Sequence, residues 1–202
     1  MRSTAGLGGV QALSLFLFLL IGAPAALSND VKPGATFGEK PTFSSEQNIL
    51  YHLEDDKKSF AIAFDGFGTK VGTVGFTGAP DTKAPVSTRV YSAVVPVTGK
   101  DINASFVVNG FAVTEVGTNA VLVLSVNDKQ IIHRFPPNID NEAFTVALKY
   151  RAKSVTDVRV TVFLLAERDS AHPDASALVA ITDISSDAAL AKKRAAERAK
   201  KK

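Results

Sequence analysis

The sequence predicts an all-β protein: an antiparallel β-sandwich, jelly-roll-like, with a short basic C-terminal helix or disordered tail. Three observations point there. Short runs rich in Val, Ile, Phe and Thr recur at spacings of roughly 10–15 residues, separated by Gly, Asn, Asp and Pro. No helical period of useful length interrupts them. Two of the runs, Val121–Leu124 and Val160–Leu165, are apolar on both faces, which places them centrally beneath a second layer. Packing one sheet on another supplies that layer. An immunoglobulin-like sandwich is the main alternative, although the chain has neither the cysteine pair nor the tryptophan usual there.

Residues 1–28 read as an export signal. Arg2 precedes a glycine-containing lead-in, the uncharged run Ala12–Ile21, and then Gly22-Ala23-Pro24-Ala25-Ala26-Leu27-Ser28. About ten apolar residues are too few to span a bilayer, which takes ~20 in a helix. Small residues at −3 and −1 permit cleavage after Ala25 or after Ser28. With no cysteine there is nothing to carry a lipid anchor, and no later segment reaches membrane length. The absence of cysteine in an exported chain favours a bacterial periplasm or exterior, and it removes thiol nucleophiles, thiol redox chemistry and thiolate metal sites.

Residues 29–45 are rich in Pro, Gly, Thr and Ser and are expected to form a linker or loosely attached arm. The sandwich domain follows over 46–187. Ser59–Phe64 alternates so that Phe60, Ile62 and Phe64 share one face. Thr88–Thr98 is a second run. Ala104–Val108 and Phe111–Val116 flank Asn109-Gly110, a hairpin signal. Asn119–Val126 and Gln130–Phe135 flank Asn127-Asp128-Lys129, a second one. Ala143–Arg151, Asp157–Ala166 and Ala177–Ile184 complete the set.

The net charge of +3 divides unevenly. Asn29 to Leu190 holds 15 Lys and Arg against 19 Asp and Glu, a balance of −4, whereas Ala191 to Lys202 holds seven basic residues and Glu197, a balance of +6. The tail, 188–202, has high helix propensity, but Leu190 is its lone large apolar side chain, so it has no stripe for docking on a core. The ordinary reading is a solvated, fraying terminus. The sharper one is an electrostatic arm for an anionic surface. DNA is not an expected partner of an exported chain without a DNA-reading motif.

Few residues point to chemistry. The glycines between Asp65 and Gly78 match neither phosphate-loop pattern, and no helix signal follows them. His52, His133 and His172 are far apart and make no local ligand pair. Glu54-Asp55-Asp56, Asp169 and Asp174 offer hard oxygens for a structural calcium ion, but without the spacing of a calcium loop. No cofactor is expected. Asn103-Ala104-Ser105 matches a glycosylation acceptor, relevant only in a eukaryotic secretory pathway. The sharpest candidate is a basic patch of Lys149, Arg151 and Arg159. If Val146, Leu148 and Tyr150 face the core, Lys149 and Arg151 face outward; if Val158, Val160 and Val162 face in, Arg159 faces out. A hairpin between those strands sets Arg151 opposite Arg159, an unfavourable pair unless an anion neutralises it. The competing account is protection of a sheet edge from aggregation.

The run Leu122-Val123-Leu124-Ser125-Val126-Asn127-Asp128-Lys129-Gln130-Ile131-Ile132, followed by the late strand Leu178-Val179-Ala180-Ile181-Thr182-Asp183-Ile184, resembles the pattern of galactose-binding-like jelly rolls, which include many carbohydrate-binding modules. The resemblance covers about half the chain and implies a fold; no binding motif matches, so it implies no site residues. The resulting expectation is a noncatalytic exported sandwich binding a saccharide or envelope component, with an anionic glycan as one form of that ligand. A structural or assembly role stands next, and an exported hydrolase third. Without Trp, and with only Tyr51, Tyr91 and Tyr150, aromatic glycan platforms have few candidates beyond phenylalanine.

Overall fold

The computed structural model describes residues 36–38, 40–44, 49–55, 57–64, 73–76, 86–98 and 101–186. The chain divides at Val31/Lys32, and every described residue belongs to the second unit. The export signal, the glycine-rich stretches 65–72 and 77–78, and the basic tail lie outside the described residues.

Among the described residues, twelve strands form two antiparallel sheets: β1 (Thr36–Phe37), β2 (Thr42–Phe43), β3 (Ile49–Leu53), β4 (Phe60–Phe64), β5 (Thr73–Phe76), β6 (Val86–Thr98), β7 (Asp101–Thr114), β8 (Thr118–Val126), β9 (Lys129–Phe135), β10 (Ile139–Lys153), β11 (Asp157–Arg168) and β12 (Ala177–Ser185). The first sheet runs β1-β6-β11-β8-β9, with β2 also on β6; the second runs β10-β7-β12-β4-β3, with β5 also on β12. From β5 onward, β8 to β9 is the single connection that stays within one sheet, and the rest alternate between the two. This is the predicted all-β sandwich with jelly-roll-like crossing. No described helix is long and apolar enough to cross a membrane.

Alternation explains the core. Tyr91, Ala93, Val95 and Val97 of β6, Val158, Val160, Val162 and Leu164 of β11, and Ala120, Leu122, Leu124 and Val126 of β8 point inward from the first sheet. Phe60, Ile62 and Phe64, Ile102, Phe106 and Val108, and Val146 and Tyr150 answer from the second. Phe37 meets Phe60 and Phe106 edge to face, with centroids 5.0 Å and 6.4 Å away. Each buried ring contributes roughly 1.5–3 kcal/mol relative to exposure. Phe37 comes from the segment expected as an arm. There β1 and β2 lie along the free side of β6, offset from one another by two residues in register.

Two expectations are overturned. Asn109-Gly110 makes no turn: both lie inside the continuous strand β7. Gly110 is instead the seat for the Phe144 ring; a Cβ there would strike that ring and the Ala180 carbonyl oxygen. Asn109 spends its side chain across the sheet, donating to Asp183 Oδ2 at 3.1 Å and accepting from Thr145 Oγ1 at 2.7 Å. Nor do β10 and β11 form a hairpin. Ser154, with φ 56°, starts a short crossing between sheets, so that β10 pairs with β7 and β11 sits between β6 and β8. Both strands carry apolar inward faces, and opposite sheets bury both at once.

Candidate binding face

The missing hairpin redistributes the basic residues. Lys149 and Arg151 do face outward and are exposed, but their neighbours are Ser105 and Asn103 of β7. Arg151 Nε donates to Asn103 Oδ1 at 2.9 Å, so the acceptor-motif asparagine is the guanidinium's partner. Lys153, opposite Asp101, extends this to a stripe of three cations along β10. Arg159 is also exposed and outward, but on the other sheet, opposite Val94. The sequence fragment thus identified the right facing for all three residues and joined two surfaces that the fold separates.

On the outside of the first sheet, register arranges side chains into transverse rows that no sequence pattern displays. Ser92, Thr161, Ser125 and Gln130 line up across β6, β11, β8 and β9. The next row along the same strands is Val90, Phe163, Val123 and Ile132. Thr88, Leu165, Val121 and Arg134 form the row after that. On the other flank stand Thr42, Val94 and Arg159. Strand spacing of about 4.8 Å makes each four-strand row roughly 14 Å long, and the pleat separates adjacent rows by about 7 Å. The ends of the apolar row are open, with Val90 62% and Ile132 53% exposed. In the hydroxyl row, Ser92 Oγ and Thr161 Oγ1 are 3.2 Å apart, and Ser44 Oγ accepts from the Ser92 amide at 3.0 Å.

One turn holds this face in place. Asn127, in left-handed conformation at φ 50°, opens the tight β8–β9 connection. Its amide N–H donates to the Arg159 carbonyl oxygen at 2.9 Å, and its Oδ1 accepts the Arg159 amide at 2.8 Å. Its Nδ2 donates to the Tyr150 hydroxyl at 2.8 Å. Asn127 thereby ties β11 to the end of β10, and Lys129 lies 6.0 Å above the Tyr150 ring.

The tyrosines offer no exposed platform. Tyr91 and Tyr150 are buried, and burial raises the Tyr91 phenol far above its usual range. The Tyr91 hydroxyl has no hydrogen-bond partner among the described residues. Phe163, half-buried at the centre of the apolar row, is the aromatic surface this face presents.

The histidines are dispersed. His133 faces inward from β9, stacked on Phe144 and edge-on to Phe135. His52 reaches Glu54 at 3.6 Å. His172 lies 2.9 Å from Asp169, whose Oδ1 also accepts the amides of Ala171 and His172. The ring's hydrogen bond, followed by these amides, holds the Asp169 carboxyl below its ordinary range. With the His172 ring seated on Gly117 (φ 89°), these contacts close a turn. Among the described residues no group of three or more His, Asp or Glu is arranged to hold a metal ion.

No family model matches the chain, and no curated protein matches it. The solved structures similar to it at low level include two of note. The carbohydrate-binding module TmCBM61, solved in complex with β-1,4-galactotriose, is 11% identical, covering 76% of this chain and 93% of that one at a TM-score of 0.32. The enzymatically active domain of bacteriophage CBA120 tailspike protein 4 is 9% identical, covering 71% of this chain and 19% of that one at a TM-score of 0.30.

Proposed function

We propose that this chain is a noncatalytic binding β-sandwich, exported to the periplasm or cell exterior, and that the outer face of its first sheet engages a saccharide chain of the envelope. The observation that carries this reading is the adjacency of two rows in register. A pyranose chain presents apolar C–H faces beside hydroxyl edges. The row Val90-Phe163-Val123-Ile132 suits the former, and Ser92-Thr161-Ser125-Gln130 supplies donors and acceptors for the latter. Arg159, one row farther out, would meet a carboxylated or phosphorylated substituent.

Thr161→Val together with Ser125→Ala tests this by removing two hydroxyls at nearly constant volume. On an array of neutral and acidic oligosaccharides, followed by titration of the best ligand, the double variant should bind roughly tenfold more weakly, as expected for two lost hydrogen bonds. Undiminished binding by the double variant would overturn the reading.

A structural or assembly role is the second reading. It is favoured by the exposure of Val90 and Ile132, since exposed apolar rows also suit protein contacts. Envelope pull-down that recovers a protein partner, with no glycan bound, would select it.

A further inference from the structure

We propose that β9 is a dimerisation edge at which two copies of this chain pair antiparallel about a two-fold axis at Ile132, joining their first sheets into one. The proposal stands on strand register and does not depend on the saccharide reading.

The chain has several sheet edges, and most are blunted in the ways that discourage edge pairing. On β6, β1 and β2 occupy the Ala93–Thr98 part with a two-residue offset between them, and the remaining Val86–Tyr91 part carries the exposed Arg89. β3 is five residues long. β10 has a register shift between Ile139 and Glu142 and a left-handed Asn141, and its unbroken stretch Glu142–Lys153 carries the exposed cations Lys149, Arg151 and Lys153. β9 has neither an offset, nor a register shift, nor a row of like charges along it. Its seven residues pair with β8 without a break, and no strand among the described residues lies on its other side.

The polarity of the free groups follows from the turn. A two-residue connection makes Val126 and Lys129 a hydrogen-bonded pair, after which hydrogen-bonded and non-hydrogen-bonded pairs alternate. The N–H and C=O groups of Gln130, Ile132 and Arg134 therefore point away from β8, towards the free edge.

A second β9 fits this edge. Centred on Ile132, antiparallel pairing sets Ile132 against the partner's Ile132, Gln130 against the partner's Arg134, and Ile131 against the partner's His133. Lys129 then meets the partner's Phe135, so no two like charges oppose. The same axis joins the row Val90-Phe163-Val123-Ile132 to its copy, doubling one apolar row across eight strands and covering the side chain that is 53% exposed at its end. A one-residue slip would put Ile132 against the partner's Ile131, whose side chain lies on the opposite face, and break the continuity.

Three variants of the full chain test this without any saccharide present. Because the sequence has no cysteine, Ile132→Cys introduces a single thiol. Paired Cα atoms about 5.5 Å apart lie within disulfide range. Mild oxidation should convert most of this variant to a covalent dimer, while Leu50→Cys, at a comparably exposed position on β3, stays monomeric. Ile132→Pro removes the outward N–H without touching the β8 ladder. It should raise the dimer dissociation constant by roughly tenfold or more in sedimentation measurements, with unchanged circular dichroism. A wild-type chain that sediments as a monomer at high concentration overturns the proposal. So does a dimer that Ile132→Pro leaves intact, or equal crosslinking through Leu50→Cys.

Discussion

The two outward faces of the sandwich reverse the usual association of size with burial. On the first sheet the outward row is Val90-Phe163-Val123-Ile132, large and apolar, with open ends. On the second it is Thr145-Asn109-Asp183-Ala63, small and polar, yet Asn109 is 5% and Asp183 1% exposed. Hydrophobic side chains on a surface are ordinary taken singly; an ordered row of them is not. A buried amide and carboxylate are equally informative, because each needs partners to offset desolvation. In the proposed reading the first face receives a ligand, whereas the second is built for internal stability.

The largest expected effect tests the second face. Asn109→Ala removes a donor to Asp183 and an acceptor for Thr145, and should cost about 2–3 kcal/mol in chemical denaturation. A loss below ~0.5 kcal/mol would show that the cluster contributes nothing and would erase the contrast. The next effect separates the basic residues. Arg159→Ala should weaken retention of an acidic glycan several-fold, whereas Lys149→Ala with Arg151→Ala, on the other sheet, should leave it within about twofold. Equal losses would mean that both faces serve one ligand. The smallest effect concerns Val90→Thr, which keeps the β-branch at an exposed site. It should change stability by no more than ~0.5 kcal/mol, as is usual for surface positions, while reducing binding to the first face.

Local pattern made much of this architecture legible. The alternation in Phe60–Phe64 placed three side chains in the core, and Asn127-Asp128 marked a true hairpin. Asn109-Gly110 carried the same kind of signal and misled, because a glycine that opens a turn and a glycine that seats a ring read alike. The three-residue crossing after Lys153 suggested a hairpin for a similar reason: loop length does not reveal that both strands need a core on the same side. Phe37 was hidden in a segment rich in turn formers. The rows of the outer face were beyond reach for a different reason, since they join residues far apart in the chain and exist only once register is fixed.

The strand order also constrains when this protein can fold. β11 joins β6 to β8, and β12 joins β7 to β4 and β5. The two strands that hold the sheets together are thus the last two of those described. A nascent chain ending at Ser154 possesses the β3–β4 and β8–β9 hairpins and the pairing of β7 with β10, but each sheet is still in pieces. Such non-local closure slows folding, since loop entropy is lost before the contacts that compensate for it form. Until β11 and β12 are made, the paired segments already formed have nothing that joins them into two sheets, and their apolar faces have no complete partner layer.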